Sequence, residues 1–224
     1  MTEAQILLAL HQGVYNATKE YEYWSGGILL HECAGESFMV SHMATSAIKA
    51  IKKYSSKFYL RLEYLGRKIK EDQSISHPGC PPKFFRSAQR LDMAILDSHY
   101  QLKFAIEAKC SYSWADTYNT DLKRLVTIYN KFHKKRTEHQ SSLQSCLFMI
   151  FVYGTGKNIQ EADENLKKNI KNYKDKAKEA FSSLKTYEAK LYFSESNKSG
   201  SYRYTGEDDD VLVYKTTSLC CIIK

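Results

Sequence analysis

The sequence predicts an α/β fold, a mixed β-sheet flanked by helices, and three observations carry that expectation. Residues 58–64 alternate Phe58, Leu60 and Leu62 with Tyr59, Arg61 and Glu63, the two-residue period of a half-buried strand. Cys146 to Tyr153 is an unbroken apolar run, which suits a strand covered on both faces. Residues 36–54 and 116–132 instead bring apolar side chains back every third or fourth position, as helices packed on a sheet do.

In chain order, Thr2-Glu3-Ala4-Gln5 has the form of a capping box, and Ile6, Leu10 and Val14 follow at helical spacing. A short amphipathic helix therefore opens the chain, and Ser25-Gly26-Gly27 ends that unit. Val40, Met43, Ala44, Ala47, Ile48 and Ile51 fall on one face of a second helix, Glu36 to Tyr54, whose apolar stripe needs a sheet to cover. After the strand at 58–64, residues 66–90 read as a long basic loop. Its His77-Pro78-Gly79-Cys80-Pro81-Pro82 segment holds all three prolines and suits neither a helix nor a central strand. Leu91 to Leu96 and Leu102 to Cys110 are two more strands around a polar Asp97-Ser98-His99 turn. Tyr118, Leu122, Leu125, Tyr129 and Phe132 mark a helix with Asp116 or Thr120 as its cap. The apolar run 146–153 supplies the next strand, ending at Gly154. Ile159, Ala162, Leu166, Ile170, Tyr173, Ala177, Phe181 and Leu184 define a long Lys-rich helix. Residues 191–193, 202–204 and 211–214 are short strands that complete or flank the sheet, with an acidic turn at 207–210. The expected organisation is one domain over 1–224. Its core lies at about 36–154, with a helical extension at 1–30 and a helix plus short strands at 157–224.

With 224 residues, 43% of them hydrophobic, the chain can bury a sizeable core. Its longest apolar run falls far short of the roughly 20 residues that cross a bilayer. Residues 6–10 lack the basic segment and longer apolar stretch of a secretory signal. A cytoplasmic protein without a membrane partner is expected. Cysteines at 33, 80, 110, 146, 220 and 221 have no CxxC spacing and read as reduced thiols. His77 and Cys80 have the separation of half a zinc site, but no second pair follows. Cys221-Ile222-Ile223-Lys224 has the outline of a prenylation box, yet Lys is not a usual terminal residue there. The net charge of +8 favours polyanions through counterion release, without naming one.

The residues that carry chemistry lie in the hairpin around residue 99. If that hairpin is symmetric about the His99–Tyr100 bond, Asp92 stands opposite Glu107, with Cβ atoms about 4.5–5.5 Å apart. Two carboxylates so placed repel unless a cation lies between them. Lys109, two residues beyond Glu107, shares its face, while Phe104, Ile106, Ala108 and Cys110 turn to the other. Hard carboxylate oxygens suit Mg²⁺ or Mn²⁺, with the Ala108 carbonyl as a further ligand. Such a metal polarises a phosphate and acidifies a water, and the ammonium of Lys109 helps place that water and stabilises charge on the phosphorane. The pattern acidic-x-Lys also occurs at Asp121-Leu122-Lys123 and Glu188-Ala189-Lys190, but only the copy at 107–109 ends an apolar strand with a strand-borne Asp upstream. A plain trio of surface charges on an exposed sheet face is the competing reading. A carboxylate inside Leu91-Asp92-Met93-Ala94-Ile95 is costly unless paired or metal-bound.

Arg90-Leu91-Asp92-Met93-Ala94-Ile95-Leu96, followed by Phe104-Ala105-Ile106-Glu107-Ala108-Lys109, resembles the core of the PD-(D/E)XK nuclease superfamily, the restriction-endonuclease-like fold. The superfamily's helix-strand-strand-strand-helix-strand order (αβββαβ) is similar to the order read for residues 36–154, a little over half of the chain. The resemblance implies Asp92 and Glu107 as metal ligands and Lys109 as the catalytic lysine. Leu91 stands where the superfamily's name has Pro. Members often add an acidic residue from the first core helix, for which Glu36 is the first candidate and Glu32 the second, against a solvated glutamate at a helix start. Leu62-Glu63-Tyr64 also resembles several bacterial members; Glu63 either orients a site group or pairs across strands with Arg61 or a neighbour. Asp121 and Arg124 fall where related enzymes place a supporting polar residue, though solvent exposure is the simpler reading for both.

What the resemblance implies is a metal-dependent endonuclease acting on phosphodiester bonds, in DNA for most relatives, of restriction, repair or anti-phage defence type. Its alternatives are a nuclease-fold binding or regulatory module without cleavage, and a basic adaptor with no active site. Lys83 and Arg86 in the long loop and the Lys-rich helix at 157–190 are candidate phosphate contacts, with Tyr and Phe interleaved for stacking. The helix's lysines serve equally well as a solvated face. These residues do not separate DNA from RNA, and cutting two strands calls for a homodimer or for successive nicks.

Overall fold

The computed structural model describes residues 1–25, 30, 35–54, 57–72, 83–85, 88–110, 116–132, 143–184, 186, 189–205 and 211–224. Thr2 starts the first helix as its spacing predicts. Its backbone N–H donates to Gln5 Oε1 at 2.9 Å, and its Oγ1 accepts from the Gln5 N–H at 3.3 Å. Helix α1 (Glu3–Ser25) is longer than the short helix expected, because Ala17 and Thr18 extend the buried stripe of Ile6, Leu10 and Val14. It packs on α2 (Gly35–Tyr54) at Gly13, where a Cβ would stand 2.4 Å from Met43 Cα. Only glycine permits that approach.

Seven strands form one mixed sheet: β1 (Tyr59–Leu65), β2 (Arg90–Leu96), β3 (Leu102–Lys109), β4 (Ser145–Gly156), β5 (Leu191–Glu195), β6 (Gly200–Thr205) and β7 (Val211–Ile223). Their order is β1-β2-β3-β4-β7-β5, with β6 beside β7. The β3–β4 pair is parallel and the others are antiparallel. Helix α4 (Asp116–Phe132) makes the crossover between the two parallel strands, so Thr120 lies inside the helix and is not its cap. Under α1 and α2 the sheet presents Met93, Ile95, Phe104, Ile106, Leu147 and Met149. The opposite face presents Ala94, Ala105, Phe148 and Ile150 to α4 and α5 (Ile159–Ser182). β4 feeds both cores, as an uninterrupted apolar run should. It runs past Gly154, where a Cβ would meet Leu166 N at 2.1 Å.

Two expectations need correction. Residues 66–90 are not one loop. They contain α3 (Gly66–Asp72) and a 3₁₀ turn at Lys83–Phe85, packed through buried Ile69, Phe84 and Phe85. An element this short shows too little periodicity to be read from sequence. Nor is the last strand a short flank. β7 extends to Ile223 between β4 and β5, and Thr216, Thr217 and Ser218 had masked its continuation by breaking the apolar pattern. Buried Ser218 is satisfied by His11, whose Nδ1 lies 2.7 Å from Ser218 Oγ.

Cys221 is buried in β7 opposite Phe148 and Phe193, and burial pushes its thiol up to about 12. Cys110, Cys146, Cys220 and Cys221 are all free thiols. Cys33, His77, Cys80 and the acidic turn at 207–210 lie outside the described residues. Among the described residues, no helix is long and apolar enough to cross a membrane.

Candidate active site

Met93 pairs with Ile106, Ala94 with Ala105 and Ile95 with Phe104, the register of a hairpin symmetric about the His99–Tyr100 bond. Symmetry fails next to the turn, where Leu96 faces Leu102, and at the other end the backbone pairing stops at Met93 and Ile106, short of the expected Asp92–Glu107 pair. One step beyond Met93 and Ile106 stand Asp92 and Glu107. Here side chains take over from the backbone ladder: the Asp92 N–H donates to Glu107 Oε2 at 3.4 Å, and the Ala108 N–H donates to Asp92 Oδ2 at 2.7 Å. The two strands part into a fork bridged by the carboxylates.

Glu107 is 1% exposed, which overturns the reading of a surface trio on an open sheet face. Burial raises its carboxyl well above the usual range, the negative charge of Asp92 adds to the rise, and Arg124 opposes it. Asp92 is also raised by burial, while hydrogen bonds with the Ala108 amide and the Glu107 side chain pull it down. Lys109 Nζ lies 2.7 Å from Glu36 Oε2 and 3.2 Å from Asp121 Oδ2. Burial works against its charge, but the hydrogen bond to Glu36 and the fields of both acids outweigh that, leaving the ammonium raised. Glu36 comes from the first turn of α2, which packs on the opposite sheet face and so reaches the end of β3 from behind. Burial raises Glu36 too, against the pull of Lys109.

Asp121 and Arg124 are not solvent-exposed helix residues. Asp121 is 5% exposed, and Arg124 Nη1 bonds Glu107 Oε1, stands 3.2 Å from Asp121 Oδ1 and donates to the Arg90 carbonyl at 3.1 Å. The signal was present in the sequence: residues 118, 121, 122 and 125 share one helix face, so Asp121 falls within the apolar stripe. Glu63 has a left-handed backbone (φ 51), rare for a residue with a Cβ, and pairs with Arg90 at 3.4 Å rather than with the cluster. Lys83 is exposed. On α5, Lys167 and Lys178 pair with Asp163 and Asp175 of the same helix, and Lys174 pairs with Glu195. Glu32 and Arg86 lie outside the described residues.

No family model, curated protein or solved structure matches the chain. The chemistry of the cluster rests on its own side chains. Among the described residues, Glu36, Asp92, Glu107 and Asp121 stand with Lys109 and Arg124, so full ionisation of this set would leave two negative charges in excess. A shielded excess of that kind is relieved by protonation or by a divalent cation. Among the described residues, no three His, Cys, Asp or Glu side chains form a ready metal cage. Mg²⁺ does not require one, since it binds through one or two carboxylates and keeps several waters. Asp92 and Glu107 fit that need.

Proposed function

We propose that the chain is a metal-dependent endonuclease hydrolysing phosphodiester bonds in DNA, with a restriction-endonuclease-like core at about residues 36–154. One observation carries this reading: the β2–β3 fork brings an acid from each strand together with Lys109 in a shielded, net-negative cluster. The order α2, β1, β2, β3, α4, β4, with α3 and the 3₁₀ turn between β1 and β2, supports it, as does the net charge of +8 for a polyanionic substrate.

Asp92 and Glu107 would hold Mg²⁺ or Mn²⁺. In an extended strand the N–H and C=O of one residue leave from the same edge, so the Ala108 carbonyl, whose amide meets Asp92, would offer the ion a further oxygen. When bound, the metal supplies Lewis acidity and a water of lowered pKa. Lys109 binds a non-bridging phosphate oxygen and orients the attacking water, and it stays charged because Glu36 and Asp121 flank it. Glu36 and Asp121 are thus positioning residues for the ammonium.

The test is plasmid cleavage in Mg²⁺ and in Mn²⁺ by the native protein, Lys109→Ala and Asp92→Asn, with folding checked by circular dichroism. Native protein should nick, and each variant should lose about 100-fold or more in rate. A native protein as inert as Lys109→Ala in both metals overturns the reading. A nuclease-fold binding module is the second reading, favoured by one observation: Arg124 and the Ala108 amide satisfy both acids without any metal. It requires DNA binding without cleavage.

A further inference from the structure

Arg124 occupies the acidic fork in an unusual way. A guanidinium normally offers a carboxylate two parallel donors. Here the single nitrogen Nη1 serves Glu107 Oε1, Asp121 Oδ1 and the Arg90 carbonyl, while the buried Nε has no hydrogen-bond partner among the described residues. The side chain therefore neutralises Glu107 without using its full donor set. Its Cζ also lies 5.7 Å from the Phe84 ring centre, a cation–π seat that does not depend on Glu107.

From this geometry we propose that Arg124 is the resident cation of the fork: the guanidinium and a divalent ion hold Glu107 in alternation. The inference rests on the metal-binding reading of Asp92 and Glu107. Two cations on one buried carboxylate repel strongly. Metal binding at Glu107 therefore breaks the Nη1–Glu107 contact alone, and Arg124 stays anchored by the Phe84 ring and, through the same Nη1, by Asp121 and the Arg90 carbonyl. The donor position on Nη1 that Glu107 gave up, next to the unpaired buried Nε, is then left for a phosphate oxygen. Arg124 acts first as a competitor of the metal and afterwards as a positioning residue for the anionic substrate.

Mn²⁺ binding to the full chain, followed by calorimetry and by electron paramagnetic resonance of free Mn²⁺, tests the exchange without relying on activity. Arg124→Met keeps the length of the side chain and removes its charge. It should bind Mn²⁺ about tenfold more tightly than the native protein or better. Its melting temperature should fall without metal and recover when Mn²⁺ is added. Glu107→Gln in the Arg124→Met background should abolish the gain. Tight binding by Arg124→Met beside an inert native chain also supports the exchange, while counting against metal-dependent cleavage by the native protein. Equal or weaker binding by folded Arg124→Met, with the native protein still binding, overturns the exchange and leaves the nuclease reading standing. No binding by either protein overturns both. Should Arg124→Met fail to fold, Arg124→Gln, which removes the charge and keeps a polar group beside Asp121 and the Arg90 carbonyl, should bind Mn²⁺ more tightly than native; equal or weaker binding overturns the proposal.

Discussion

His11 sits where a proton is unwelcome. It is 6% exposed, with Nδ1 2.7 Å from Ser218 Oγ and Nε2 3.1 Å from Ser194 Oγ, and burial lowers its pKa to about 4. An unfolded histidine titrates near 6.5, so between those values the unfolded chain binds the proton and the folded chain does not. Stability from this group is complete above about pH 6.5 and is lost as pH falls toward 4, by up to about 3 kcal/mol. Urea midpoints measured from pH 7 to pH 4 should fall steeply for the native protein and less for His11→Gln; equal slopes refute the assignment. Nothing in the sequence revealed this residue, because its partners stand 183 and 207 positions away. Asp92, Glu107 and Lys109 were legible, since strand period and hairpin symmetry are local properties. Asp121 was legible in principle, at apolar-stripe spacing beside Tyr118, Leu122 and Leu125. The burial that gives it a role in the cluster depends on how α4 lies against the sheet.

At the scale of elements, the seam between β4 and α5 is fixed by a missing side chain. A Cβ on Gly154 would stand 2.1 Å from Leu166 N and 2.4 Å from Ala162 O, both backbone atoms that cannot rotate away. Gly154→Ala should lower stability by about 3 kcal/mol, in the range of overpacked cores, and shift the urea midpoint accordingly. A change below about 0.5 kcal/mol would show that the seam is looser than described. Gly35→Ala is the useful contrast, since Gly35 has φ +66 and open space around it; its cost should be about 1 to 2 kcal/mol, from backbone conformation alone. The hairpin strands and β4 were readable because their apolar residues sit at a regular period. β7 was not, since buried Thr216 and Ser218 interrupt its apolar pattern, and the partner of Ser218, His11, stands 207 positions away.

For the whole molecule, the decisive quantity is the net charge of +8 carried by the chain, with the described acids of the fork included in that sum. Binding to a nucleic acid should therefore be salt-dependent, with affinity for a DNA duplex falling about tenfold or more between 50 and 200 mM NaCl. A flat response would remove the polyanion as partner. The α/β class was legible from periodicity alone. Strand order was not, because the last strand joins the middle of the sheet, where Cys146 pairs with Ile223 and Gly156 with Val213. That placement bears on biosynthesis. On the ribosome, β4 emerges with one hydrogen-bonding edge bare and stays so until residues 211–223 follow. The nascent chain carries an open apolar edge through the making of α5, β5 and β6, which is the interval in which a chaperone would matter most to it.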